Sequence, residues 1–148
     1  MKTKNQIMEL SHDDIVELLS TATYGSYIFT FDYDKTKYAN VCEFKANDCA
    51  EDIAAKILLA GGSIRIVDFC AEDADDHYGI LTCYYDEGMI YDVNLDDIIR
   101  GLNAAANDES AWVRKCFNSF VNYEDGEFDL LRAEALLQVV VFGEEIYG

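Results

Sequence analysis

Hydrophobic and polar residues follow two periods along this chain, and each change of period marks an element. The stretch 61–102, GGSIRIVDFCAEDADDHYGILTCYYDEGMIYDVNLDDIIRGL, carries both. Gly61 and Gly62 end a preceding helix, and SIRIVDF then alternates as a half-buried strand does. The acidic loop AEDADDH leads to YGILTCYY, and the turn DEG leads to MIYDV, which predicts a three-stranded meander. Asn94 is placed to cap the next helix, with Asp97 at its third position. Leu95, Ile98, Ile99 and Leu102 then share one helical face, so the helix closes over the sheet.

The flanking segments give four more helices and a second strand region. Ser11 opens a capping box with Asp14, and Ile15, Leu18, Leu19 and Ala22 form a narrow apolar face before Gly25 stops the helix. SYIFTFDY (26–33) puts Tyr27, Phe29, Phe31 and Tyr33 on one face of a strand, and YANVCEF is its hairpin partner across the turn DKTK. A helix starts at Asn47 or Asp48, boxed by Glu51, with Ile53, Ile57 and Leu58 inward and Ala54 and Ala55 allowing close approach. Asp108 caps a fourth helix whose stripe is Trp112, Val113, Cys116, Phe117 and Phe120, with Trp112 read as a core anchor. Asp129 caps the last, whose run LLQVVVF is apolar nearly all round and predicts the most buried helix; Gly143 ends it and EEIYG docks back. The expected fold is one α+β domain over 1–148: about five helices packed around a small, mostly antiparallel sheet with a central three-stranded meander.

Composition narrows the class. At 148 residues, 51% hydrophobic and 13% aromatic, the chain is long and apolar enough for a single packed core. No apolar run approaches the ~18 residues of a membrane span. The first residues, MKTKNQIMELSHDD, lack the apolar stretch of a secretory signal, so the expected compartment is the cytoplasm. Five cysteines at 42, 49, 70, 83 and 116, with no CxxC pair, fit neither a disulfide framework nor a structural zinc site; Cys83 and Cys116 read as small core residues.

Charge is the most informative number. Twenty-nine acids against 11 bases leave −18, spread over the folded segments and not confined to a tail. Such a surface repels nucleic acid and anionic membranes and attracts basic protein surfaces over a Debye length of roughly 8 Å at physiological salt. The plain alternative is that the charge only keeps the protein soluble.

Little in the chain points to catalysis. Glu72, Asp73, Asp75, Asp76 and His77 form the densest polar cluster and suit a hard cation. The EF-hand template fails, because Tyr78 stands where its glycine is required and Tyr84 where its bidentate glutamate is required. His77 with a neighbouring aspartate invites a base for a cysteine nucleophile, yet no nucleophile elbow surrounds any cysteine. The glycines are scattered as stops and turns and form no phosphate-binding loop. No cofactor and no metal are expected. The ten tyrosines stand out instead: of those at 78, 84, 85 and 91, with Tyr27 or Tyr33 nearby, not all fit a core. Tyrosine among carboxylates suits contact with arginine.

LSHDDIVELLSTATYG, GGSIRIVDF, LDDIIRGL, EDGEFD and the ending ALLQVVVFGEEIYG follow one another in an order that resembles a group of small acidic proteins encoded by phages, prophages and mobile elements of gut bacteria. The resemblance covers most of the chain except 26–49 and implies a viral or mobile-element accessory protein. It carries no catalytic or binding residue with it.

These readings converge on a non-enzymatic binding protein. The expected partner is a basic nucleic-acid-binding protein of the host, such as a CRISPR effector or a restriction enzyme, with no direct contact to nucleic acid or membrane. The candidate contacts are Asp73, Asp75, Asp76, Tyr85, Asp86 and Glu87. They lie at opposite ends of one strand, roughly 25 Å apart over about eight residues, and so make one patch or two. The alternatives are a phage assembly accessory that self-associates through its apolar C-terminal helix, and a small-ligand or metal-binding protein using 72–77.

Overall fold

A computed structural model describes residues 7, 9–70, 78–85, 88–122 and 126–147, with the side chains of 81–85 left out. In chain order it contains α1 (His12–Thr23), β1 (Phe29–Asp32), a 3-10 turn (Thr36–Tyr38), α2 (Ala50–Leu59), β2 (Ser63–Asp68), β3 (Leu81–Tyr85), β4 (Gly88–Asn94), α3 (Leu95–Ala106), α4 (Ala111–Asn122) and α5 (Leu130–Phe142). This is an α+β fold of five helices and an antiparallel sheet among the described residues. None of these helices is long and apolar enough to cross a membrane.

The helix starts follow from local chemistry. Ser11 Oγ accepts from Asp14 N at 3.1 Å while Asp14 accepts from Ser11 N at 3.0 Å, and Asn94 and Asp97 repeat the exchange at α3. Asp129 Oδ1 accepts from Arg132 N at the start of α5. Two starts fall later than expected. Cys49 N donates to Asp52 at the start of α2, because Asp48 turns back to accept from Lys45 N and pairs with Lys56. Ser110 Oγ takes the Val113 N–H at α4, while Asp108 accepts from Ser110 N one step earlier.

The sheet order is β1-β2-β4-β3, so the three strands of 63–94 all form but not as a meander. β4 lies between β2 and β3, in register Ile66↔Tyr91 on one side and Leu81↔Tyr91 on the other. The physical reason is burial. β4 buries Ile90, Tyr91 and Val93 and takes a central place where both edges are paired, and twelve residues separate β2 from β3. β1 is also differently paired: it lies against β2 (Phe29↔Asp68, Asp32↔Arg65), and no strand forms in YANVCEF. That segment packs sideways instead, with Tyr38 Oη accepting from Ser63 N and the Tyr38 ring filling the space beside Gly62.

The core is built around α5, which is buried along its whole length from Ala133 to Phe142. It packs against α1, α3 and α4. Phe142 joins it to the sheet and tail, with its ring 6.0 Å from Phe29, 5.6 Å from Tyr91 and 5.8 Å from Tyr147. Ile15, Leu18, Leu19 and Ala22 of α1 and Ile53, Ala54, Ala55, Ile57 and Leu58 of α2 face inward as their spacing requires. Trp112 corrects one expectation: it lies at the rim, its Nε1 donating to Glu145 at 3.1 Å, while Val113, Cys116, Phe117 and Phe120 form the buried stripe.

α3 and α5 approach closely at Gly101, where a Cβ would overlap the Cα of Val140. In an exposed helix Gly→Ala would gain about 1 kcal/mol. Here the helices must separate, and Gly101→Ala is expected to lower the unfolding free energy by about 1–3 kcal/mol in urea titrations.

Candidate functional site

Asp73, Asp75, Asp76, Asp86 and Glu87 lie outside the described residues, as does the side chain of Tyr85. The same holds for Glu72 and His77 of the suggested cation loop and for the side chain of Cys83. Their described neighbours do refine the geometry. Gly88, paired with Tyr85 at the end of the β3–β4 hairpin, sits against the Asp68 carbonyl, where a Cβ would come within 2.5 Å. Residues 85 and 88 therefore stand at the same end of the sheet as Cys70, while Tyr78 lies over the Arg100 guanidinium, 3.8 Å from it, beside α3. The separation estimated along β3 thus applies to Tyr78 and not to Cys70. Among the described tyrosines, Tyr91 is core, Tyr33 and Tyr78 are half-buried, and Tyr27 projects into solvent.

The arginines are engaged at the surface and not withdrawn from it: Arg100 and Arg114 are exposed, and Arg65 and Arg132 are half-buried. Each of the four arginines has a partner on its own chain. Arg65 pairs with Asp32 at 2.9 Å, and Arg100 with Asp97 at 3.2 Å. Arg114 donates to the carbonyls of Asp108 and Glu109, and Arg132 donates to Ser119 Oγ at 2.6 Å. Lys35 and Lys37 lie over the rings of Phe44 and Tyr38, and Lys56 holds Asp48 and the Glu43 carbonyl. These lysines and Arg65 gather where β2 begins. A shallow cavity of about 190 Å³ there is lined by Tyr33, Asp34, Lys37, Tyr38, Ser63, Ile64, Arg65 and Asp92, with acids and bases in balance.

At the other end of β2 a polar cluster joins four segments. Ser26 Oγ accepts from Ile28 N and Phe29 N, each at 3.0 Å, and donates to Glu134 on α5. Gln138, one turn further on, is buried; its Oε1 accepts from Ile146 N and Tyr147 N, and its Nε2 donates to the Tyr147 carbonyl. This docks the tail as the sequence predicts. It also delivers the Tyr147 hydroxyl to Asp68 Oδ2 at 3.1 Å and to the Cys70 carbonyl. Asp68 Oδ1 accepts from Cys70 N at 2.8 Å. Burial pushes the Asp68 carboxyl above its ordinary range, against the downward pull of Cys70 N and the Tyr147 hydroxyl. Tyr147 is raised by burial and then by the neighbouring Asp68 charge. A phenol has one hydrogen, and the nearer acceptor is the Cys70 carbonyl. That hydrogen is shared between the Cys70 carbonyl and Asp68 Oδ2, both of which accept from the Tyr147 hydroxyl.

Nucleophilic chemistry finds little support among the described residues. Burial raises the Cys116 thiol to about 12 and lifts Cys70, whose value the charges of Asp68 and Glu134 raise further. His12 Nε2 meets Asp52 Oδ1 at 2.9 Å, and Cys49 Sγ donates to Asp52 Oδ2 at 3.2 Å, so the carboxylate stands between imidazole and thiol. Asp52 is held at about 2, chiefly by His12 and then Cys49, while the net shift of the Cys49 thiol is upward. No group of three or more histidine, cysteine or acidic side chains among the described residues is placed to hold a metal ion. The arrangement at the Asp68 end positions backbone and displays side chains. Only the tail docking was legible in sequence; Ser26, Asp68, Glu134 and Tyr147 meet across separations that no local motif reveals.

Comparison with protein-family models, with curated proteins and with solved structures finds no match to this chain.

Asp68 binds its proton more tightly in the folded protein than in the unfolded chain, so raising the pH through and above 3.8 removes stability. Asn at this position keeps the acceptor for Cys70 N and supplies a permanent donor to Tyr147 Oη. Asp68→Asn is expected to be more stable than the wild type at pH 7 by about 1 kcal/mol, the worth of one good hydrogen bond, with the advantage shrinking toward pH 3. Urea unfolding at several pH values measures both. A variant less stable at pH 7 would contradict a burial penalty on the Asp68 carboxyl.

Proposed function

We propose that this chain is a non-enzymatic acidic binding protein, an accessory of a phage or mobile element that inhibits a host nucleic-acid-targeting defence protein by covering its basic surface. A CRISPR effector or a restriction enzyme is the kind of target such a surface fits. The observation that carries the reading is that each of the four arginines is held by a group of its own chain, on a protein of net charge −18. An arginine paired with its own carboxylate, as Arg65 and Arg100 are, presents little net charge to an approaching basic groove. The raised thiols and the lack of an activated nucleophile among the described residues favour binding over catalysis. Many acids also cap helices, as Asp14, Asp97 and Asp129 do, so the negative surface is tied to the folded backbone.

Association steered by such a field is fast and strongly salt-dependent. The protein, immobilised in a lysate of a bacterial host, is expected to retain basic nucleic-acid enzymes at low salt and release them at about 0.5 M, where the Debye length falls to roughly 4 Å. Retention of no basic protein, or retention that salt does not weaken, would sink the reading.

A further inference from the structure

Among the described residues, the end of the sheet where β2 stops also holds most of the large apolar side chains left in water. Eight large apolar side chains are exposed among the described residues, and five belong to this corner: Tyr27 at 91%, Tyr24 at 87%, Leu131 at 66%, Phe69 at 44% and Ile146 at 36%. The backbone that carries them is braced. Phe69 N donates to the Ile28 carbonyl at 2.8 Å, extending the β1–β2 pairing beyond the strands, and Cys70 Sγ reaches the Tyr27 carbonyl at 3.6 Å. Ser26, between the two tyrosines, is held by Glu134, and Leu131 lies one turn before Glu134 on the same helical face. Ile146 N is fixed by Gln138. Buried carboxylates and a buried amide thus hold exposed aromatic and aliphatic side chains in place, which lowers the entropy lost on binding.

We propose that this corner is an interaction surface and that its occupant is an arginine-bearing surface of a basic protein. The proposal rests on the acidic-binder reading and names its contact residues. Charge complementarity selects the occupant. The exposed acids Asp129 and Glu144 adjoin Leu131 and Ile146. The nearby Arg132 is engaged by Ser119. The lysines around 35–56 gather at the opposite end of β2, roughly 20 Å away along six residues. A guanidinium stacks on tyrosine faces and pairs with carboxylates together; an ammonium does the first less well. A second copy of this chain would bring equal negative charge against the same corner, which disfavours it.

The test uses the full-length ¹⁵N-labelled protein with two synthetic probes, nona-arginine and nona-lysine peptides, at low salt. The variant is Tyr24→Ser, Tyr27→Ser and Phe69→Ser together, with its fold checked by near-ultraviolet circular dichroism and its mass by light scattering. Nona-arginine is expected to shift the amides of residues 24–28, 69–70, 131 and 146 most. It is expected to bind the wild type several-fold more tightly than nona-lysine, and the triple variant at least ~10-fold more weakly than the wild type. Shifts centred elsewhere, with the variant binding as tightly as the wild type, overturn this surface and leave the acidic-binder reading standing. Failure of both peptides to bind overturns both. A dimer that the triple variant abolishes overturns the choice of occupant.

Discussion

A helix that is apolar on every side must be covered on every side, and α5 imposes that requirement on the whole fold. Its residues from 133 to 142 are buried, so α1, α3, α4, the sheet and the returning tail all close around it. Two of the enclosed positions are polar, Glu134 and Gln138, and a buried polar group without a partner costs about 1–3 kcal/mol. Their partners are the turn at Ser26 and the tail at Ile146–Tyr147. The need to satisfy two side chains inside one helix therefore fixes where two surface segments lie. The tail then fixes a third, because Tyr147 reaches the end of β2.

Function enters through that chain of constraints. The same bonds that close the core hold Tyr24, Tyr27, Phe69, Leu131 and Ile146 outward at one corner, among acids and away from the lysines. Arginines elsewhere are tied to their own carbonyls and carboxylates. The outcome is a molecule with a braced aromatic corner and four arginines each partnered within the chain.

Helices were legible because their signals are local. Ser11 with Asp14, Asn94 with Asp97 and Asp129 alone announce starts within four residues, and the inward faces of α1 and α2 follow their spacing. Where a competitor stood nearby, the reading slipped: Asp48 found Lys45 and Lys56, and the start of α2 passed to Cys49. Strand order was not legible, since three short antiparallel strands alternate alike whether β4 or β3 lies in the middle. Tyr27 shares a period with Phe29 yet stands beyond the edge of the core, so alternation predicted its face and not its exposure. Trp112 misled in the same way, one position outside the stripe it seemed to begin. The corner itself depends on contacts such as Ser26 to Glu134 and Asp68 to Tyr147, which separate residues by 108 and 79 positions.

The most direct measurement of the central claim is displacement. A fluorescent DNA duplex is bound to a basic DNA-binding enzyme retained from the host lysate, and the acidic protein is added while polarisation is followed. The account predicts release of the duplex at near-stoichiometric protein, weakening steadily as salt is raised. A ternary complex in which the DNA stays bound would contradict it, because the two would then occupy different surfaces.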